Sequence, residues 1–380
     1  MSSKTLIALL CSTTLVSPAL AQDYETESGA VTLTPVVEGL QFPWGMVFLP
    51  DDTMLVTERS GNLRHIRSDG TISDPIAGVP DVVFEGQGGL LDVAIDPDFA
   101  SNGYVYVSYA EAGNEPGTNS TAVARGVLGE DMSEITDVDV IFSQQPKLPS
   151  TLHFGSRLTF DNDGYLFITT GERSDAQFRV QAQDLGSHLG KVIRIMPDGS
   201  VPQDNPFVGI DGALPEIWSY GHRNMQGAAL HPGSGEVWVA EHGPRGGDEL
   251  NKIIKGGNFG WPLLTEGTEY SGQPINPPSD LPSDLVEAER TWVPSPAPSG
   301  LAFYDGDLFA DWQGDAFMGA LAGTDLIRID LDGEEVLGDE FLFGDDFSHR
   351  VRDVVQGPDG ALYLVTDGDP GQILRLSPAQ

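Results

Sequence analysis

The hydrophobic and polar positions of this chain form a short pattern that occurs six times. Each copy has an apolar-alternating run, a turn rich in Pro, Asp, Gly and Asn, and a second alternating run that ends in polar residues. Alternation with a period of two is typical of a half-buried strand, and a tight turn between two such runs predicts a hairpin. The copies begin at Gly45, Leu91, Ser156, Gln226, Ser299 and Arg352.

A hairpin cannot bury its apolar face alone, so six of them predict stacking around a common axis. The copies cover nearly the whole length, and the segments between them contain no helix-period pattern longer than about three turns. We therefore expect an all-β chain that forms a six-bladed β-propeller. Residues 22–380 are predicted to be one domain, with a short helix near Gln181–His188.

The N-terminal segment, residues 1–21, has the pattern of a secretory signal peptide. Lys4 supplies the positive charge, Thr5–Val16 the apolar region and Ala19–Ala21 a small-residue cleavage site. An ordinary buried strand or helix is the alternative interpretation. Export predicts a periplasmic or secreted protein, and because Cys11 is the only cysteine the mature chain would have no disulfide.

The chain is strongly acidic, with 57 acidic and 20 basic residues and a net charge of −37. This balance argues against nucleic acid or an anionic membrane surface as a partner. It leaves two interpretations open. The acidic surface serves solubility, or part of it binds calcium or a basic partner.

Several polar residues stand just before copies of the repeat. A propeller places these positions around one central funnel, so residues far apart in sequence are expected to converge. The candidates are Gln87, His153, His222, Arg223, Asn224, Arg350 and Arg352.

Three arginines and a histidine at one funnel predict an anionic ligand, because a guanidinium pairs with a carboxylate through two hydrogen bonds. The competing interpretations are that Arg350 and Arg352 form salt bridges between blades and that His153 is structural. The sequence has no H-E-x-x-H, C-x-x-C, G-x-S-x-G or G-x-x-x-x-G-K-[ST] motif, so zinc, a serine nucleophile and a P-loop lack support.

The segment Glu241–Pro262 is unusually polar and rich in glycine. Glycines allow backbone carbonyls to turn toward a ligand, and Asp248 and Glu249 add hard oxygen atoms. The segment is therefore either a calcium site or a long surface loop with ordinary turn chemistry.

Six motifs in this order resemble those of the soluble pyrroloquinoline quinone (PQQ)-dependent glucose and aldose sugar dehydrogenases. The resemblance covers about Phe42 to Leu376 and implies a quinoprotein oxidoreductase on a six-bladed propeller. The motifs are GQGGLLDVAIDPDF, HFGSRLTFDNDGYLFITTGER, GHRNMQG, EHGPRGGDELN, KGGNFGWP and RVRDVVQGPDGALYLVTD.

The resemblance implies roles for the funnel residues. His153 would be the general base for the anomeric hydroxyl of the sugar, with hydride passing from C1 to C5 of PQQ to give a lactone. Arg223 would stabilise charge at the quinone oxygen. The other matched PQQ-pocket positions are Gln87, Asn224, Arg350 and Arg352.

The resemblance also implies calcium. The carbonyls of Gly243 and Pro244 match the protein ligands of an ion that also binds PQQ and acts as a Lewis acid. Glu249 and the carbonyl of Phe259 match a second, structural calcium site.

Two positions depart from the glucose-specific pattern. Ala322 stands where the glucose enzymes have a lysine that contacts PQQ, and Leu152 stands where they have an acidic residue facing the substrate. Loss of a hydrogen-bonding group weakens discrimination between sugars. Both departures favour the broader aldose sugar dehydrogenase branch.

The predicted activity is PQQ- and calcium-dependent oxidation of aldoses, with a cytochrome or a quinone as external electron acceptor. A calcium-dependent lactonase and a non-catalytic binding propeller are the alternatives. A lactonase needs acids around a central metal, and the starts of the repeats carry no such set. A binding propeller leaves the placed arginines and histidine unexplained.

Overall fold

The computed structural model describes residues 21–275 and 279–379, whose backbone forms six antiparallel sheets. The first twelve strands are β1 (Gln22–Thr26), β2 (Gly29–Leu40), β3 (Pro43–Phe48), β4 (Met54–Glu58), β5 (Asn62–Ile66), β6 (Leu90–Ile95), β7 (Tyr104–Ala112), β8 (Asn119–Leu128), β9 (Ile135–Ser143), β10 (Gly155–Phe160), β11 (Leu166–Thr170) and β12 (Lys191–Ile195). The other twelve are β13 (Ile217–Tyr220), β14 (Met225–Leu230), β15 (Val237–Glu241), β16 (Asp248–Lys252), β17 (Arg290–Trp292), β18 (Pro298–Phe303), β19 (Ala316–Ala320), β20 (Asp325–Asp332), β21 (Glu335–Phe341), β22 (Val351–Gln356), β23 (Leu362–Thr366) and β24 (Gly371–Pro378).

Each sheet is one blade of a six-bladed β-propeller. Blade 1 contains β3–β5, blade 2 β6–β9, blade 3 β10–β13, blade 4 β14–β17 and blade 5 β18–β21. Blade 6 has the order β1-β2-β24-β23-β22. The innermost strand of each blade packs against that of the next, and β22 packs against β3 to close the ring. The predicted fold class is confirmed.

The six copies of the sequence pattern are the two inner strands of the six blades. In blade 3, for example, Thr159 pairs with Phe167 across the hairpin. The turn between them is built by Asp161, whose carboxylate accepts the backbone N–H groups of Asp163 and Tyr165. Gly164 completes this turn with φ +80°, a conformation that suits glycine. Local turn chemistry therefore sets the hairpin register.

Blade 6 is completed by the N-terminal part of the chain. Strand β2 pairs with β24 from Val31 opposite Pro378 to Leu40 opposite Gly371. This long-range pairing joins the two ends of the ring and protects strand edges that would otherwise be unpaired.

Helical structure is short in the described residues. It consists of α1 (Phe99–Asn102) and 3₁₀ turns at Arg179–Gln183, Ala310–Trp312 and Gly344–Asp346. The helix expected near Gln181–His188 is thus a 3₁₀ turn that begins earlier. Within residues 21–275 and 279–379, we find no helix with the length and apolarity to cross a bilayer. Residues 1–20 of the predicted signal segment lie outside the described residues.

Candidate active site

The loops before the inner strands bring Gln87, His153 and Asn224 together on one face of the propeller. His153 precedes β10, and its backbone N–H donates to Oε1 of Gln87 at 2.8 Å. Asn224 precedes β14 and accepts the N–H of Gly155 at 3.1 Å. These bonds connect the funnel ends of blades 2, 3 and 4. His153 has φ +51°, so this network holds it in the left-handed region.

The imidazole of His153 forms a buried pair with Glu172. Nδ1 lies 2.5 Å from Oε2 of Glu172, and both side chains are almost fully buried. Burial lowers the pKa of His153, the Glu172 charge opposes this, and the charges of Arg223 and Arg173 add to the lowering. Burial alone would raise the pKa of Glu172, but His153 and Arg223 lower it. The pair therefore favours a neutral imidazole that donates from Nδ1 and leaves Nε2 able to accept a proton.

Glu172 was not among the sequence candidates, although the repeat contains a signal for it. It follows β11, as Glu241 ends β15 in the next blade. Glu241 accepts the backbone N–H of Arg223 at 2.8 Å and lies 3.1 Å from Nδ1 of His222. The acid that ends each of these copies thus orients the loop before an inner strand. His222 also stacks on Phe259, which gives it a structural role.

Arg223 directs its guanidinium at the loop after β15. Nη1 donates to the carbonyl of His242 at 3.1 Å and to the carbonyl of Gly243. The guanidinium carbon lies 5.2 Å from the ring centroid of Trp261. A cationic group therefore already lies at one of the carbonyls predicted to bind calcium.

Arg350 and Arg352 both pair with Asp367, but their side chains differ in burial. Arg352 is buried, lies 3.3 Å from Asp367 and donates to Oε1 of Gln226 at 2.7 Å. The side chain of Arg350 is 49% exposed and donates from Nε to the same carboxylate at 2.9 Å. Asp367 belongs to the same blade as both arginines, whereas Gln226 is in blade 4. Arg352 therefore reaches the propeller axis and Arg350 lies at the rim.

The loop after β15 borders a cavity of about 540 Å³. Gly243 and Pro244 line it together with His242, Tyr270 and Ala322. Asp248 holds this loop, because its carboxylate accepts the N–H of Gly243 at 2.7 Å and that of Ala297 at 2.8 Å, as well as the hydroxyl of Ser295. Asp248 thus fixes the conformation of the loop whose residues Gly243 and Pro244 line the cavity.

Glu249 and Phe259 line a narrow neighbouring pocket with Glu241 and Trp261. Burial and the charge of Glu241 raise the pKa of Glu249 to about 8. Two carboxyl groups so close together are stabilised by a cation. Among residues 21–275 and 279–379, no group of three or more His, Cys, Asp and Glu side chains is arranged to hold a metal. A calcium site in this pocket would therefore need ligands besides these two carboxylates.

Several buried polar atoms around His153 have no hydrogen-bond partner. They are Nε of Arg223, Nε of Arg352, Nε2 of His242 and Oε1 of Glu172. Unpartnered buried atoms also occur elsewhere, but these four lie near one another. The pKa of His242 shows this proximity, because burial and the nearby charges of Arg223, His153 and Arg352 lower it well below its usual value. Such a set fits a polar ligand that carries negative charge. The sequence analysis did not predict His242, because a single histidine in a loop after a strand belongs to no recurring pattern.

Cavity size alone does not identify this site. A cavity of about 510 Å³ lies where blades 6 and 1 meet, lined by residues such as Phe48, Arg67 and Tyr363. It contains none of the predicted site residues. The chemistry converges instead on the funnel around His153.

The fold and this funnel define a propeller enzyme with a buried carboxylate–histidine pair among cationic groups. The chain belongs to the Glucose / Sorbosone dehydrogenase family, whose model matches residues 40–375. It is 46% identical over 350 residues to aldose sugar dehydrogenase YliI of Escherichia coli, covering 92% of this chain and 93% of that protein. The protein is accordingly a sugar dehydrogenase, an oxidoreductase.

Solved structures agree with this assignment. The apo form of the soluble aldose sugar dehydrogenase from Escherichia coli superposes with a TM-score of 0.88 at 45% identity, covering 92% of this chain and 100% of that one. The PQQ-bound form of aldose sugar dehydrogenase from Streptomyces coelicolor has a TM-score of 0.75 at 29% identity, with coverage of 91% and 98%.

Proposed function

We propose that this protein oxidises the anomeric C1 hydroxyl of aldoses to lactones with PQQ and calcium. The observation that carries the proposal is the buried His153–Glu172 pair, 2.5 Å apart, beside the cationic groups of the funnel. The PQQ-bound relative supports the cofactor. The chain is also 27% identical over 410 residues to a protein named quinoprotein glucose dehydrogenase B, from Acinetobacter calcoaceticus, which supports the same cofactor.

His153 is the proposed general base. The Glu172 carboxylate accepts the Nδ1 proton, so Nε2 carries the lone pair that takes the proton of the anomeric hydroxyl. The lowered pKa keeps this nitrogen unprotonated near neutral pH. Glu172 then stabilises the imidazolium that forms, as an ionised partner does for a protonated histidine. Gln87 fixes the backbone of His153 and so the direction of the ring.

The basic side chains fit PQQ, a planar tricarboxylate. When bound, PQQ supplies the electrophilic carbon that accepts the hydride from C1. Arg352 and Arg350 would pair with its carboxylates, and Arg223 would stabilise negative charge on the quinone oxygen. The unpartnered Nε atoms of Arg223 and Arg352 have hydrogen-bonding capacity left for such a ligand. Asn224 would contribute a polar contact in the same pocket.

Calcium fits the loop after β15. The carbonyls of Gly243 and Pro244 are hard oxygen donors in residues that line the cavity, and calcium would have to share the Gly243 carbonyl with the Arg223 guanidinium or displace it. A calcium ion there would act as a Lewis acid. The crowded carboxyl groups of Glu249 and Glu241, with the carbonyl of Phe259, are the proposed second calcium site.

A broad sugar range follows from the two departures. Leu152, next to the base, is 40% exposed and offers no hydrogen bond, and Ala322 lines the cavity with a methyl group. We further propose a periplasmic or secreted location, from the signal-like residues 1–21, and a cytochrome or quinone as electron acceptor.

The test uses purified protein titrated with PQQ in the presence of calcium, followed by absorption spectroscopy and then by addition of glucose. Stoichiometric binding followed by bleaching to the reduced cofactor is expected. Failure of PQQ to bind with calcium present would refute the cofactor assignment and make lactone hydrolysis the next assay. Binding without bleaching by any of a panel of aldoses would refute the substrate assignment alone.

A further inference from the structure

The third residue of each inner strand occupies the same place in all six blades. These strands are each six residues long, and each has a break in register with its partner near this point. The residues are Gly45, Asp92, Arg157, Gly227, Gly300 and Asp353. One cation, two anions and three glycines therefore form a ring around the axis.

Arg157 spans this ring. Its guanidinium lies 3.1 Å from Asp92 in blade 2 and 2.9 Å from Asp353 in blade 6, which is opposite its own blade. Nε donates to the carbonyl of Gln226 in blade 4 at 2.6 Å. All three charged side chains are buried. We call Asp92, Arg157 and Asp353 the axial triad.

Two of the three glycines in the ring provide room for the triad. A Cβ atom at Gly45 would lie 2.5 Å from Oδ1 of Asp92, and one at Gly300 would collide with Oδ1 of Asp353. Neither glycine has a positive φ, so steric space rather than backbone conformation requires glycine here. The ring is therefore built around one guanidinium.

The axial triad is connected to Arg352 by three contacts. Arg157 Nη2 donates to the backbone carbonyl of Arg352 at 3.2 Å. Gln226, whose carbonyl binds Arg157, accepts Nη1 of Arg352 through its side chain at 2.7 Å. The indole of Trp44 lies within 4.3 Å of the Arg157 guanidinium carbon and 5.9 Å of that of Arg352. The backbone, side chain and packing of Arg352 are thus each linked to Arg157, while Asp367 also pairs with its guanidinium.

We propose that the axial triad is a positioning element that fixes Arg352 for binding an anionic cofactor. The inference rests on the proposed function, because Arg352 is expected to pair with a PQQ carboxylate. Arg157 itself makes its hydrogen bonds within the protein and acts through Arg352 and Gln226. Removing the guanidinium would free both to adopt other rotamers, and it would weaken cofactor binding even in variant protein that remains folded.

The test compares Arg157→Met with Arg328→Met. Arg328 is also buried and paired, with Asp315 at 2.6 Å, but it lies in the third strand of blade 5, away from the axis. Each folded variant is titrated with PQQ at saturating calcium, at a temperature where circular dichroism shows it folded. We expect Arg157→Met to weaken PQQ binding at least tenfold, Arg157→Lys to recover part of the loss, and Arg328→Met to bind like the unmodified protein.

PQQ trimethyl ester separates positioning from general damage, because it has no carboxylate for Arg352. The affinity ratio between unmodified protein and Arg157→Met should fall toward one with the ester. If Arg157→Met does not fold, Asp92→Asn replaces it with a smaller loss in the same direction. Equal PQQ affinity in the axial and control variants overturns the inference while leaving the proposed function intact. An unmodified protein that does not bind PQQ overturns both.

Discussion

The axial triad and the funnel around His153 are both buried and charged, yet their hydrogen bonding differs. In the triad, Arg157 is paired with two carboxylates and two backbone carbonyls, and Asp92 also accepts the N–H of Leu158 at 2.8 Å. In the funnel, charged and polar groups retain unpartnered atoms. Folding alone thus satisfies the charges of the triad, whereas the funnel groups keep hydrogen-bonding capacity for the ligand proposed above.

The physical reason is the cost of burying charge. A buried ion contributes little net stability even when paired, but loss of one partner costs about 3–5 kcal/mol. The charged groups of the triad pair with other groups of the protein, so folding alone provides all their partners. Funnel groups with unmet hydrogen bonds are a cost to the free protein that a bound ligand reduces. Substitutions in the funnel should therefore change function with little loss of stability, whereas those in the triad should also cost stability.

The largest effect is expected at His153. His153→Ala removes the proposed base, and turnover with glucose should fall about 10²–10⁴-fold, the usual contribution of a positioned base. PQQ binding should remain measurable, because the arginines still supply the carboxylate contacts. Stopped-flow bleaching of the bound cofactor measures the step directly.

His231→Ala is the matched control. His231 is also buried, lies 3.0 Å from the carbonyl of Gly333 and packs edge-on against Phe303, away from the funnel. The His231→Ala substitution should lower the melting temperature and leave turnover with glucose nearly unchanged. Normal turnover in His153→Ala would exclude this histidine as the base.

The next effect is expected in the ring of glycines. Gly300→Ala puts a methyl group against the Asp353 carboxylate, and overpacking of this kind destabilises by about 1–3 kcal/mol. Gly338→Ala in β21 is the control, since a Cβ there meets no atom within 4 Å and its φ is ordinary. Urea unfolding of both variants measures the difference. Equal stability would show that the ring is not close-packed.

The six inner hairpins were predictable because one local rule, alternation plus turn residues, describes them. The closure of blade 6 was not, since β2 finds β24 through a pairing between residues more than three hundred positions apart. The alternating pattern is also weak in the outer strands, and β17 is only three residues long. Edge strands bury less apolar surface, so their pattern is less regular.

For the candidate site, the place of a residue in the repeat predicted where it lies in the fold. The sequence did not predict which side chains pair with each other. Gln87, His153, Arg223 and Asn224 are close because equivalent loops meet at the axis. An acid at the end of equivalent copies marks Glu172 in the repeat, but its pairing with His153 across the hairpin becomes visible only in the structure. The axial triad also has a sequence signal, one residue at the same place in every copy, but its charges become meaningful only when the blades are arranged in a ring.

The last effect is a dependence of stability on pH, expected at Asp92. Burial, with the Asp353 charge, raises its pKa from 3.8 to about 6 despite Arg157. Between these two pKa values, the carboxyl group of the folded state holds a proton that the carboxyl group of the unfolded state has already lost. Stability should therefore fall as pH rises through this window, by at most about 1.4 kcal/mol per pH unit, and level off above it.

Asp92→Asn has no titrating group at this place, so the unfolding free energy of the unmodified protein minus that of the variant isolates the effect. Urea unfolding at intervals from pH 4 to pH 8 should give a difference that decreases up to about pH 6 and is then constant. A difference that shows no decrease, but rises only near about pH 4 and is constant above about pH 5, would mean that attraction to Arg157 outweighs burial and that Asp92 is ionised throughout. The axial triad would then be a stabilising ion network, and the contrast with the funnel would be larger still.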